Sequence, residues 1–158
     1  MDSQIQKATA DFSPMKILLP TDGSENSIRA SGVAISLSKT YGCTLVVVEV
    51  IPTFRFAGAF DIPKEVFDEY SQYMNRDAQR NVDSILTSAR SQGILVKGEV
   101  RNSNSNSVTE SILDCAKEEK VDLIVIGTRG LGSFEKLILG SISSGVVSHA
   151  ECNVLVVR

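Results

Sequence analysis

VDLIVIGTRGLGSFEKLILGS runs from Val121 to Ser141. Its first part is short, continuous and β-branched, the signature of a strand buried on both faces. The chain then turns on Gly127 and Gly130, makes a nine-residue excursion and restarts on Gly140-Ser141. Similar runs occur at Met15 to Leu19, Thr44 to Val50 and Asn153 to Val157, and an alternating one at Leu95 to Arg101. Helical segments lie between them. Asp22-Gly-Ser-Glu25 has the spacing of a capping box and opens a helix to about Tyr41, with Gly42 as its stop. Pro63 opens a longer helix with apolar residues at Val66, Tyr70, Tyr73/Met74, Val82, Ile85/Leu86 and Ala89, ended by Gly93. Ser107-Val-Thr-Glu110 is a second capping box, opening Val108 to Glu119, and a last helix starts near Ser141. The order βαβαβαβαβ predicts an α/β fold: one open, doubly wound parallel sheet joined by right-handed crossovers.

The chain has 158 residues, enough for one domain with a real core. Residues 1–13 read as a polar N-terminal arm without a signal-peptide pattern, and 14–158 as a single domain. A net charge of −3 and a pI near 5.2 give no basic footprint for nucleic acid or membrane. No apolar run approaches the ~20 residues that span a bilayer. Cys43, Cys115 and Cys152 are odd in number and far apart, which fits a reducing cytoplasm and small core residues better than a disulfide framework or metal site. The single histidine, His149, lies near the end of the last helix and reads as structural.

In a doubly wound sheet, ligands bind beyond the carboxyl ends of the strands at the switch point. Those ends carry Pro20-Thr-Asp-Gly-Ser, Glu49-Val-Ile and the Gly127 loop. A Walker A loop is excluded, because Gly-Lys-Ser/Thr occurs nowhere. The dinucleotide fingerprint G-x-G-x-x-G is missing after the first strand, so Glu49 is weak evidence for a ribose-binding acid. What remains is Gly127-x2-Gly130-x9-Gly140-Ser141. Glycines let backbone N–H groups approach phosphate oxygens, and a helix start adds unpaired N–H groups and the positive end of a dipole. The bland reading of the same residues is a strand end, a turn and an N-cap at Ser141.

This spacing resembles the universal stress protein family, in the nucleotide-binding branch marked by G-2x-G-9x-G-[ST]. KILLPTDGSENS, VDLIVIGTRG and GSISSGVVSHAECNVLVVR look like its first strand and turn, its fourth strand, and its last helix and strand, so the likeness extends from Met15 to Arg158. The resemblance implies a Rossmann-like sheet of order 3-2-1-4-5, of the adenine nucleotide alpha hydrolase type. It implies an ATP ligand accompanied by Mg²⁺, a regulatory role in stress response, and a homodimer. Carried over residue by residue, Pro20, Thr21 and Val50 offer backbone contacts to the base, and Val50 and Ile126 lie against adenine. Asp22 faces the nucleoside, with helix N-cap as its other reading. Gly127, Gly130, Gly140, Ser141, Ile142 and Ser143 surround the phosphates, and Arg129 meets the triphosphate or remains a solvated loop arginine. Lys136 favours the solvated reading.

No convincing general base accompanies these residues, so hydrolysis is expected to be slow or absent. Two rivals stand beside the nucleotide binder: a dimeric interaction module of the same fold without nucleotide, and a small nucleotide-using enzyme. FRFAGAF, Phe54 to Phe60, reads equally as a lid, a partner contact or a tucked loop. With order 3-2-1-4-5, Asn153 to Val157 is an apolar edge strand without proline, bulge glycine or internal charge, and two-fold pairing of this edge is the expected dimer.

Overall fold

In the computed structural model the described residues are 12–52, 63–103, 107–130 and 139–158. Strands β1 (Lys16–Thr21), β2 (Thr44–Ile51), β3 (Val96–Asn102), β4 (Leu123–Gly127) and β5 (Asn153–Val157) alternate with helices α1 (Glu25–Tyr41), α2 (Lys64–Ser91), α3 (Val108–Glu119) and α4 (Ser141–His149). The sheet is wholly parallel, in the order β3-β2-β1-β4-β5. Most of the expected N-terminal arm, the Phe54–Phe60 segment, Lys136 and the middle of Asn102–Ser107 lie outside the described residues.

Strand alternation divides the core into two layers. Ile17, Leu19, Leu45 and Val47 face Ala30, Ala34 and Ile35 of α1 and Val82, Leu86 and Ala89 of α2. Leu18, Val46 and Val48 face Ile112, Cys115 and Ala116 of α3 and Val146 of α4. Cys43 and Cys115 are buried, and burial pushes the Cys115 thiol up to about 12, well out of reactive range. His149 Nδ1 lies 2.9 Å from the Gly145 carbonyl oxygen at the end of α4.

Local chemistry sets the helix ends. Ser107 and Glu110 form the expected reciprocal capping box. The start of α1 differs from the sequence expectation. Ser24 is the N-cap, accepting from the Ser27 amide, and Asp22 lies two residues upstream with Oδ1 accepting from Ser24 N at 3.1 Å. Asp22-Gly-Ser-Glu25 is therefore a turn followed by a cap. The reason is Gly23, whose φ of +72° bends the chain before the helix can begin. At α4, Gly140 rather than Ser141 occupies the N-cap.

Helix α2 is the expected long helix. Its 28 residues measure about 42 Å at 1.5 Å per residue, against about 26 Å for the eight residues of β2. Only Ala78, Val82, Leu86 and Ala89 are buried, while Val66, Tyr70 and Tyr73 are 54%, 46% and 54% exposed. The apolar stripe read from the sequence thus continues past the end of the sheet that covers it.

The two sheet edges are unlike. β3 carries Lys97, Glu99 and Arg101; Arg101 pairs with Glu99 at 2.6 Å and Glu118 at 2.7 Å, and Lys97 with Glu119 at 2.7 Å. β5 carries no charge between Asn153 and Val157, and Leu155 is 39% exposed.

Candidate functional site

The order β3-β2-β1-β4-β5 reverses direction between β1 and β4, so the loops leaving these two strands part and open a crevice between them. Pro20, Val50 and Ile126 stand at the carboxyl ends of β1, β2 and β4, three adjacent strands. Val50 and Ile126 belong to the layer on the α3/α4 side, and Pro20 follows Leu18 of that layer by two residues. They therefore share one face, and it is the face on which α4 begins. Thr21 points to the opposite side, where its hydroxyl donates to Ser27 Oγ at 3.2 Å. Its contribution to the crevice is backbone.

The loop after β4 is pinched at its base. Thr128 N donates to Val157 O at 2.8 Å, and Gly140 N donates to Thr128 O at 2.7 Å. The departure at Thr128 and the return at Gly140 are thus hydrogen-bonded neighbours. A Cβ on Gly140 would stand 3.3 Å from the Thr128 carbonyl oxygen and 3.4 Å from Arg129 Cα.

The other two glycines are tighter. A Cβ on Gly127 would stand 2.8 Å from the Asn26 carbonyl carbon, so this glycine lets the end of β4 close on α1. A Cβ on Gly130 would collide with Asp22 Oδ2. Asp22 and Gly130 therefore face each other across the switch point. Ser24 Oγ approaches the Arg129 carbonyl oxygen at 3.5 Å, a further link between the two loops. Arg129 is half-buried beside them.

Helix α4 presents its start to the same place. Gly140 has no side chain with which to cap the N–H groups of Ser141, Ile142 and Ser143, and the first intrahelical bond is Ser144 N to Gly140 O at 2.8 Å. Ser141 and Ile142 are exposed. Ser143 is buried, and its hydroxyl donates to Gly127 O at 2.7 Å. That hydroxyl locks α4 to the end of β4, which leaves the Ser143 backbone N–H as its group for an anion. Such a helix start suits a phosphate oxygen.

Sequence reasoning missed Ser24 as the cap, Asn26 as the backbone behind Gly127, and Asn81 of α2. Asn81 Nδ2 donates to Glu49 Oε1 at 3.3 Å, and a Cβ on Gly23 would meet the same amide at 2.6 Å. Ser24 was legible as a cap residue beside Glu25. No local pattern marks Asn26 or Asn81, whose roles depend on tertiary contact.

Comparison with known proteins matches residues 14–158 to the universal stress protein family. The chain is 30% identical over 144 residues to universal stress protein MJ0531 of Methanocaldococcus jannaschii, covering 90% of this chain and 81% of that one. Among solved structures, the universal stress protein UspA of Lactobacillus plantarum is 26% identical, with a TM-score of 0.69 over 91% of this chain and 97% of that one. A universal stress protein of Archaeoglobus fulgidus, solved in complex with dAMP, shares the fold at 20% identity, with a TM-score of 0.63 over 91% of this chain and 98% of that one. With the parallel sheet, the switch-point crevice and the matched span in hand, the chain belongs to the universal stress protein family.

Proposed function

We propose that this protein binds ATP at the switch point between β1 and β4 and serves as a nucleotide-dependent regulator in stress response. The observation that carries the reading is the convergence of Asp22, Gly130 and the side-chain-free N-cap Gly140 on one crevice. Adenine would lie on the Pro20, Val50 and Ile126 face, with the base read by backbone groups of Pro20, Thr21 and Val50. Asp22 would accept from the sugar hydroxyls. The phosphates would lie against the backbone of Gly127, Gly130 and Gly140 and the amides of Ser141, Ile142 and Ser143, with Arg129 on the terminal phosphates. The dAMP held by the Archaeoglobus fulgidus relative supports an adenine nucleotide in this family.

Among the described residues no group of three or more His, Cys, Asp or Glu gathers to hold a metal. A Mg²⁺ ion, implied by the family resemblance, would be carried on the phosphates and water. Phosphoryl transfer also needs a positioned nucleophile. The sequence offers no convincing general base to activate an attacking water, so slow hydrolysis at most is expected. We further propose a homodimer paired through β5, on the contrast between its uncharged edge and the charged edge of β3. The three free cysteines support a reducing cytoplasmic setting. Among the described residues no helix is long and apolar enough to cross a membrane.

The direct test is to denature the purified protein and identify any released nucleotide chromatographically, then titrate nucleotide-stripped protein with ATP and Mg²⁺ by calorimetry. Release or saturable binding of ATP supports the reading. A folded protein that neither carries nor binds an adenine nucleotide would leave the interaction module without nucleotide in its place.

A further inference from the structure

Glu49 is the one acid of β2, and strand alternation points it away from the Val50 face. It enters the layer between β2 and α2, where Asn81 Nδ2 donates to Oε1. The other oxygen, Oε2, is buried without a hydrogen-bond partner among the described residues. The Asn81 amide also closes over Gly23, the left-handed residue of the turn after β1. Gly23 directly follows Asp22, whose two oxygens face Ser24 N and Gly130. Glu49, Asn81, Gly23, Asp22 and Gly130 therefore form one continuous line of contact from the interior of the sheet to the loop after β4.

We propose that Glu49 and Asn81 are positioning residues that hold the Asp22 turn from behind, and that they make nucleotide binding proton-linked: neutral Glu49 favours the phosphate-bearing ligand, ionised Glu49 opposes it. The inference rests on the nucleotide reading above. Its physical basis is charge and burial together. Desolvation pushes the Glu49 carboxyl up to about 7; the Asn81 hydrogen bond works against that rise, and the negative charges of Asp22 and Asp77 add to it. The register neighbours of Glu49, Thr21 on β1 and Val100 on β3, carry no charge. Arg80 of α2 is paired with Asp77 at 3.2 Å. A polyphosphate beside Asp22 adds more negative charge and raises Glu49 further. Binding then takes up a proton, and affinity falls as the pH rises through about 7.

The test compares wild type, Glu49→Gln and Asn81→Ala. Without ligand, the amide resonances of Gly23, Ser24 and Gly130 should titrate together near neutral pH in wild type and not in Glu49→Gln. In Asn81→Ala, which loses the bond that favours the ionised form, the midpoint should move up. With ATP and Mg²⁺, wild-type affinity should fall between pH 6 and 8 by roughly fivefold more than that of Glu49→Gln, at the lower end of couplings between linked sites. The nucleotide's own titration is common to both proteins and cancels in the comparison. A purely structural Glu49 would lower affinity equally at every pH. Equal pH slopes in the two proteins, or no titration of the three amides, would overturn the linkage while nucleotide binding stood. Failure to bind ATP at any pH would overturn the nucleotide reading and the linkage with it.

Discussion

A methyl group is the smallest probe of the site. On Gly127 it would press on the Asn26 backbone at 2.8 Å, which cannot move without shifting α1. Gly127→Ala should therefore destabilise the fold by about 1–3 kcal/mol, the usual cost of overpacking, measured as a lower midpoint in urea. Gly130→Ala meets a side chain instead, the Asp22 carboxylate, which can swing aside. It should leave stability nearly unchanged and weaken the nucleotide, and unchanged affinity would remove the Asp22–Gly130 contact from the site. Arg129→Ala should weaken ATP more than AMP, by roughly 1.5–3 kcal/mol if it makes one charge-assisted hydrogen bond to the terminal phosphates. Equal losses for both nucleotides would place its charge elsewhere. At this scale the glycine positions were legible in the sequence, but their causes were only partly so. The spacing pointed to phosphates, whereas what each missing Cβ avoids is Asn26, Asp22 or Thr128, and those neighbours come from other parts of the chain.

Among elements, β1, β2 and β4 were legible because burial on both faces leaves continuous apolar runs that polar loops interrupt, whereas β3 showed as an alternating run and the apolar run of β5 is an exposed edge. The capping box of α3 was legible for a similar reason, since both of its partners lie within four residues. Ser107→Ala should cost about 0.5–2 kcal/mol in thermal or urea unfolding, the range for a lost N-cap. The α1 start was misread by two residues, because Asp22 and Ser24 are both good caps and only the left-handed Gly23 decides between them. The apolar stripe of α2 was read correctly as helical, and the structure adds that only its C-terminal half is buried. Periodicity reports which side of a helix is apolar; it does not report where the sheet beneath that helix ends.

For the whole molecule, the order of elements carried the layer architecture, and the family likeness supplied the strand order that the sheet adopts. The behaviour of its edges is a prediction. β3 is guarded by Lys97, Glu99 and Arg101 and by the α3 acids that hold them, so addition of a strand there would have to desolvate ion pairs. β5 offers Val154, Leu155, Val156 and Val157 with no charge among them. Its register with β4 sets Val157 beside Gly127, and Val157 O accepts the Thr128 amide at the base of the loop after β4. A partner on β5 would therefore stiffen the strand that anchors that loop, and dimerisation and nucleotide binding should strengthen each other. Leu155→Lys places an edge lysine on an exposed position, the device that guards natural sheet edges. In analytical ultracentrifugation at micromolar concentration the wild type should sediment as a dimer and Leu155→Lys as a folded monomer with weakened ATP affinity. A wild type that stays monomeric with and without ATP would sink the β5 interface, and a monomeric Leu155→Lys with full ATP affinity would sink its link to the site.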